Sequence, residues 1–519
     1  MESAATHNAA THNAVTHNAA THDAANDAGR AGAAHRRPPA APVAAAARAV
    51  VALLVAAVPF AGPALAQGGA GAHDWTRFGF DAGRSNASSA PAGIEAGDLQ
   101  ALSGNRQQVS LPGTVDASPI YLRGVTVAGA SHDVFFVTTT YGKTLAIDAG
   151  SGDTLWTFTP DGYGSWAGSY RITTATPVAD PARDAIYAAA PDGVVRKLAV
   201  SDGHVVWSAA VTELPRREKI AAALNLSQGH VLVTTGGYIG DQPPYQGHVA
   251  VLDAGSGKVL HVWNALCSDK AGLLEPGKDC SESGAAIWAR AGAVVNPANG
   301  DLLLATGDGH WDGKTDWGDS VIELSPDATQ VLGNFTPSNT RYLDANDLDL
   351  GSTAPALLGG GFLAQGGKDD VIRLVDWGRM QGRVPHQGGE AQTVPTPSGS
   401  HLFTAPAVWR HGKQTWLFAA DGNGITAWTF QDGSLEQAWA NRNPGTSPVL
   451  AGGLLYVYDP GGSGLYVFDP TSGERLGKLQ AGAGHWNSPI VVDGRVALPE
   501  GNANQHSTSG VLDIWRLPK

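Results

Sequence analysis

Two carboxylates, Asp347 and Asp349, stand two positions apart in the run Leu343-Asp344-Ala345-Asn346-Asp347-Leu348-Asp349-Leu350-Gly351. That is more acid than a tight turn requires. Asp308 lies in the segment before this run, and Lys368 with Asp369 in the segment after it. Grouped carboxylates can hold a hard cation such as Ca²⁺ through oxygen ligands. An ionised carboxylate can also act as a general base, and a nearby lysine can stabilise developing negative charge. His310 and His485 each occur as Gly-His-Trp. They would suit a hydrolase or lyase, but no nucleophile motif accompanies them. Asp192, Asp421, Asn423 and Asp459 read as turn residues, whose short polar side chains bond the local backbone.

The elements that position these residues repeat along the chain. A strand ends near an Asp, a Gly-containing turn follows, and a second strand often carries Trp. Ala146-Ile147-Asp148, Ser151-Gly152 and Trp156 form one copy; Val251-Leu252-Asp253, Ser256-Gly257 and Trp263 form another. A second marker is a small residue followed by Pro before an apolar strand: Ser118-Pro119, Thr176-Pro177, Ala354-Pro355, Ala405-Pro406, Ser447-Pro448 and Ser488-Pro489. Proline is tolerated at the start of a strand because its missing N–H falls outside the ladder. Two repeats, near Asn225 and Ala293, lack it. The fold expected is all-β: an eight-bladed β-propeller of four-stranded antiparallel blades, A to D. Ser110-Leu111 is placed to pair with the C-terminal sheet. The D-strand tryptophans are expected to pack between blades. In such a blade the segment leading into strand A and the B–C loop share one face. That face would carry Asp241, Asp308, His310, Asp347, Asp349, Lys368, Asp369, Asp421, Asn423, His485, Asn502 and His506 around one funnel.

Residues 1–66 read as a leader to be removed. Low-complexity sequence is followed by basic residues, an apolar run too short to span a bilayer, and Ala64-Leu65-Ala66. Cleavage is expected after Ala66, leaving residues 67–519 as a single propeller domain in the periplasm or secreted. No Cys follows the cleavage point, so no lipid anchor is expected. The net charge of −13 disfavours nucleic acid and anionic membrane as partners. The two cysteines, Cys267 and Cys280, fall in one inserted loop and are expected to pair in an oxidising compartment. No Cys-x-x-Cys-His haem site is present.

At Asp74-Trp75, Ser283-Gly284-Ala285-Ala286-Ile287-Trp288, Ala305-Thr306-Gly307-Asp308, the Asp347–Ser352 stretch and Gly366-Gly367-Lys368-Asp369, the chain resembles the pyrroloquinoline-quinone (PQQ) dehydrogenase-like propellers. It looks like the polyvinyl-alcohol-dehydrogenase branch and equally like exported propellers of unassigned function. The resemblance implies PQQ and Ca²⁺ as cofactors, without haem. It implies Asp308 and Asp241 as metal ligands, Asp347 or Asp349 as the catalytic base, and Lys368 with Asp369 beside the quinone. Two functions are expected from it. One is a scaffold that binds a small molecule or protein on the funnel face, its quinone site degenerate. The alternative is a PQQ- and Ca²⁺-dependent dehydrogenase that oxidises an alcohol in the funnel.

Overall fold

The computed structural model describes residues 71 and 73–518. The leader and signal peptide read from the sequence lie outside these residues. Eight four-stranded antiparallel sheets follow one another along the chain. Blade one runs from Ile120–Val127 to Thr154–Phe158, and blade four from Val294–Val295 to Val331–Phe335. Blade five runs from Ala356–Gly359 to Gln392–Pro395. The six marker prolines each stand one residue before an A strand, at Ile120, Val178, Ala356, Ala407, Val449 and Ile490. The two strands without that proline begin at Asn225 and Val294.

Blade eight is completed from both ends of the fold. Its strands Ile490–Val492, Arg495–Glu500 and Gly510–Arg516 are joined by Arg106–Leu111, with Ser110 opposite Val511 and Leu111 opposite Gly510. The ring is thus closed by hydrogen bonds between early and late segments.

The punctuating residues act locally and between blades. Asp148 Oδ1 accepts the N–H groups of Gly150 and Ser151 at 2.8 and 2.7 Å. Asp469 does the same for Thr471 and Ser472. The glycine of each turn serves the neighbouring blade. Trp207 Nε1 donates to the Ala254 carbonyl at 3.1 Å, and its ring lies where a Cβ at Gly257 would be, 2.6 Å away. Trp156 on Gly203 and Trp439 on Gly473 repeat the arrangement. Only a residue without a Cβ admits the indole this closely, and the turn also needs positive φ (75° at Gly257).

Residues 73–95 form a strap that visits the inner strands in order. Trp75 pairs with Tyr121 of blade one, and the Thr76 carbonyl accepts from Ala179 of blade two. Arg77 donates to Asn225 and Leu226 of blade three. The carbonyls of Ala82, Ser85, Asn86 and Ala92 accept from Val295, Val408, Leu450 and Gly494. Seven of the eight blades are tied this way. Phe78, Arg84 and Asn86 of the strap are buried. Arg84 donates to four carbonyls, those of Phe78, Ala223, Leu224 and Ala291.

Cys267 and Cys280 form a disulfide with Cα atoms 6.0 Å apart. It staples the loop after blade three. No helix among the described residues is long and apolar enough to cross a membrane.

Candidate functional site

The lead-in segments and B–C loops meet on one face, as the repeat pattern requires. They enclose a cavity of about 340 Å³. Trp288 and Asp308 come from blade four, Asp347, Asp349 and Lys368 from blade five. Phe403 leads into blade six, and His485 with Trp486 into blade eight. Side chains separated by about 200 residues of sequence therefore share one chamber.

Asp308, Asp347 and Asp349 each place a carboxylate oxygen within 4.8 Å of the others. Asp349 is the centre of the group. Its Oδ1 accepts the backbone N–H of Asp308 at 2.9 Å and lies 3.5 Å from Trp288 Nε1. Its other oxygen pairs with the Lys368 ammonium, which also bonds Asp347 Oδ1 at 2.7 Å. Asp349 is buried, whereas the Asp347 side chain is 68% exposed at the mouth. The glycine of Thr306-Gly307-Asp308 has a steric reason: a Cβ there would collide with Asp349 Oδ1.

The electrostatics separate the acids. Burial, the Asp349 charge and the hydrogen bond to Asp349 push the Asp308 carboxyl up to about 9. Burial opposes ionisation of Asp349 as well, yet the Asp308 hydrogen bond and the Lys368 charge outweigh it and hold its carboxyl low. Burial also disfavours the charge on Lys368, and Asp349 and Asp347 overcome it, raising the ammonium. The two acids titrate as a pair, Asp308 raised and Asp349 held low, so the charge is favoured on Asp349. Asp319 beneath them is raised by burial. Its Oδ1 accepts from Leu350 N–H at 2.9 Å, and its Oδ2 is buried without a partner.

Three of the rings that line the chamber lie against one another. Trp288 and Trp486 stack with centroids 5.8 Å apart, and Phe403 lies 6.1 Å from Trp288 and 6.0 Å from Trp486. The Lys368 ammonium sits 5.5 Å from the centroid of Trp288. His485 stacks on Trp486 at 4.1 Å, and its Nδ1 bonds Asp116 at 2.6 Å.

Of the residues expected from the sequence, Asp308, Asp347, Asp349, Lys368 and Asp241 line the chamber. Asp241 stands outside the three-carboxylate group, and burial, with the Asp349 charge, raises its carboxyl. Asp369 is not part of the lining. Its carboxylate is paired with Arg373, at a 3.1 Å contact from Asp369 Oδ1 to Arg373 Nη1. Both residues lie in the turn between strands Phe362–Gln365 and Val371–Asp376, and Asp369 is drawn to the Arg373 guanidinium four residues on. His310 pairs with Asp316 outside the chamber, and its side chain is 53% exposed. Asp421 is a turn residue, accepting from Ser398 and Asn423 N–H. The aromatic lining, Asp116, Lys219 and Arg290 were not foreseen. The available signal was the position of Trp288 and Trp486 in lead-in segments rather than on D strands.

Known proteins carry the same architecture. The family described as outer membrane protein assembly factor BamB matches residues 97–272. Quinohemoprotein alcohol dehydrogenase ADH IIB of Pseudomonas putida is 25% identical over 157 residues, 29% of this chain. The match spans 21% of that relative's length. The structure of quinohemoprotein alcohol dehydrogenase ADHIIG from Pseudomonas putida HK5 superposes with a TM-score of 0.64 at 15% identity. It covers 86% of this chain and 80% of that one. The enzyme from Comamonas testosteroni gives 0.61 at 15% identity, over 86% and 82%. This is a PQQ-dehydrogenase-like propeller. Within the PQQ-like propeller, the carboxylates, Lys368 and the rings occupy the single chamber that blades two to six and eight jointly line.

Proposed function

We propose that the funnel holds PQQ beside a hard cation and that the protein oxidises an alcohol there. The observation that carries this reading is the convergence of Asp308, Asp347 and Asp349 beside Lys368 and the Trp288 indole. An all-oxygen, all-carboxylate donor set suits a hard cation. The raised Asp308 carboxyl reflects the crowding of negative charge in the group. A cation would relieve that crowding, with Asp308 as its ligand from this chain; Asp241, the second ligand expected from the sequence, stands outside the three-carboxylate group. The flat rings and the Lys368 ammonium fit a planar, negatively charged cofactor. Such a quinone, when bound, accepts the hydride.

The chain's own residues supply the rest. Asp349 is ionised and buried, so it takes the hydroxyl proton of the substrate. Lys368 fixes its orientation and balances its charge. Asp347, at the mouth, meets solvent and guides the ammonium. The stacked rings exclude water from one side of the chamber.

A non-catalytic scaffold is the second reading. Asp369 is engaged by Arg373 rather than by the chamber, which favours a site that has lost part of its quinone contacts. Calorimetric titration with PQQ, with and without Ca²⁺, decides between them. Saturable Ca²⁺-dependent binding that Asp308→Ala removes, followed by alcohol-dependent dye reduction, supports the enzyme. Absence of both leaves the scaffold.

A further inference from the structure

Lys219 lines the same chamber and is 8% exposed. It lies on the short strand Glu218–Lys219, which pairs with Gly236–Gly237 beside the blades. Among the described residues no hydrogen bond or ion pair engages its ammonium; the surrounding charges are those of Asp116, Arg290 and Asp241. Asp116 is already used. Its Oδ2 accepts from Ala503 N–H at 3.1 Å and bonds His485, and its Oδ1 accepts from Trp486 N–H at 2.9 Å.

Arg290 adds to the imbalance. It is 3% exposed and donates from Nη1 to the Thr174 carbonyl at 2.9 Å. Its Nε and Nη2 are buried with no partner. A buried cation ordinarily finds an acceptor, because desolvation without one is costly. Burial first, and then the Arg290 charge against that of Asp116, bring the Lys219 ammonium down to about 8. It remains protonated at neutral pH and faces the cavity.

We infer that Lys219, backed by Arg290, forms an anion subsite in the funnel that receives a carboxylate of the bound ligand. One ammonium faces the cavity, and a monoanionic carboxylate matches it. A phosphate dianion would bring more charge than that ammonium balances. The ligand is therefore two-ended, with a carboxylate at Lys219 and its other polar end at the Asp308–Asp349 group. The subsite does not depend on the oxidation chemistry.

The test uses the full chain and glycolate, a monoanionic hydroxy-carboxylate, as the probe, by calorimetry and melting temperature, without quinone or metal. Glycolate should bind and raise the melting temperature. Lys219→Met and Lys219→Gln should weaken it by about tenfold or more, and Lys219→Arg by much less. Two substitutions of different polarity guard against a folding defect in either. Glycolate binding unchanged in both, no glycolate binding to the parent, or phosphate binding tighter than glycolate would overturn the assignment. A parallel PQQ titration keeps the two ideas apart. PQQ affinity that falls with glycolate affinity shows the carboxylate to be the quinone's own; unchanged PQQ affinity shows a separate ligand. Glycolate binding with no PQQ binding removes the quinone reading and leaves the subsite standing.

Discussion

The backbone N–H of Asp308 donates to the Asp349 carboxylate at 2.9 Å. This bond joins the B–C loop of blade four to the lead-in of blade five, and it is the contact around which the other acids and Lys368 gather. Gly307 makes it possible. Gly307→Ala would drive a methyl into Asp349 Oδ1. The expected result is a folded propeller that has lost Ca²⁺-dependent PQQ binding, read by calorimetry alongside a melting curve. Full binding by the variant would show that Asp349 does not organise the site.

Asp347 and Asp349 differ in burial, and so should their roles. Asp349→Asn removes the proton acceptor and should lower kcat by 10²-fold or more, in line with loss of a general base. Asp347→Asn acts at the exposed mouth and should cost less than about tenfold. Steady-state dye reduction measures both. The reverse order would assign the base to Asp347.

The indole-on-glycine contacts predict a stability ladder. Gly257→Ala combines a strained φ with a Cβ 2.6 Å from Trp207. Gly272→Ala has a similarly positive φ, 89°, and open space around it. The first should cost about 3 kcal/mol and the second about 1 kcal/mol in chemical denaturation. Equal costs would mean that the blade contact adds nothing beyond backbone strain.

Lys219 predicts a pH signature. Its ammonium titrates near 8 in the folded protein against an ordinary value of 10.5. The folded state therefore holds fewer protons than the unfolded chain between these values, so stability rises with pH across that window. This contribution is complete above 10.5 and is lost as pH falls through 8. Denaturation of the parent and Lys219→Met at pH 8 and pH 10.5 should show a gap that changes by about 3 kcal/mol in the parent's favour at the higher pH. A constant gap would mean that the ammonium is not desolvated.

Much of the fold was legible because its punctuation is local. Pro119 or Pro406 marks a strand start by what its own backbone cannot do, and Asp148 or Asp469 marks a turn through bonds two and three residues away. The shared face followed from counting strands, and it placed Asp308, Asp347, Asp349 and Lys368 correctly. What escaped depends on contact between distant blades. Nothing near Trp288 announces that it meets Trp486, or that Arg290 comes close to Lys219. Asp369 shows the converse: one step along the backbone from Lys368, the side chain belongs to Arg373 instead. The strap was equally hidden, since residues 73–95 have no repeat pattern and take their course from the carbonyls and N–H groups they meet.

That strap has a mechanical meaning. It bonds to seven of the eight blades, and Phe78, Arg84 and Asn86 are buried within the fold. Two neighbouring blades that it ties cannot part without breaking bonds to a segment that belongs to neither. The strap acts as a hoop, spreading a local opening of the ring over contacts far from where it starts.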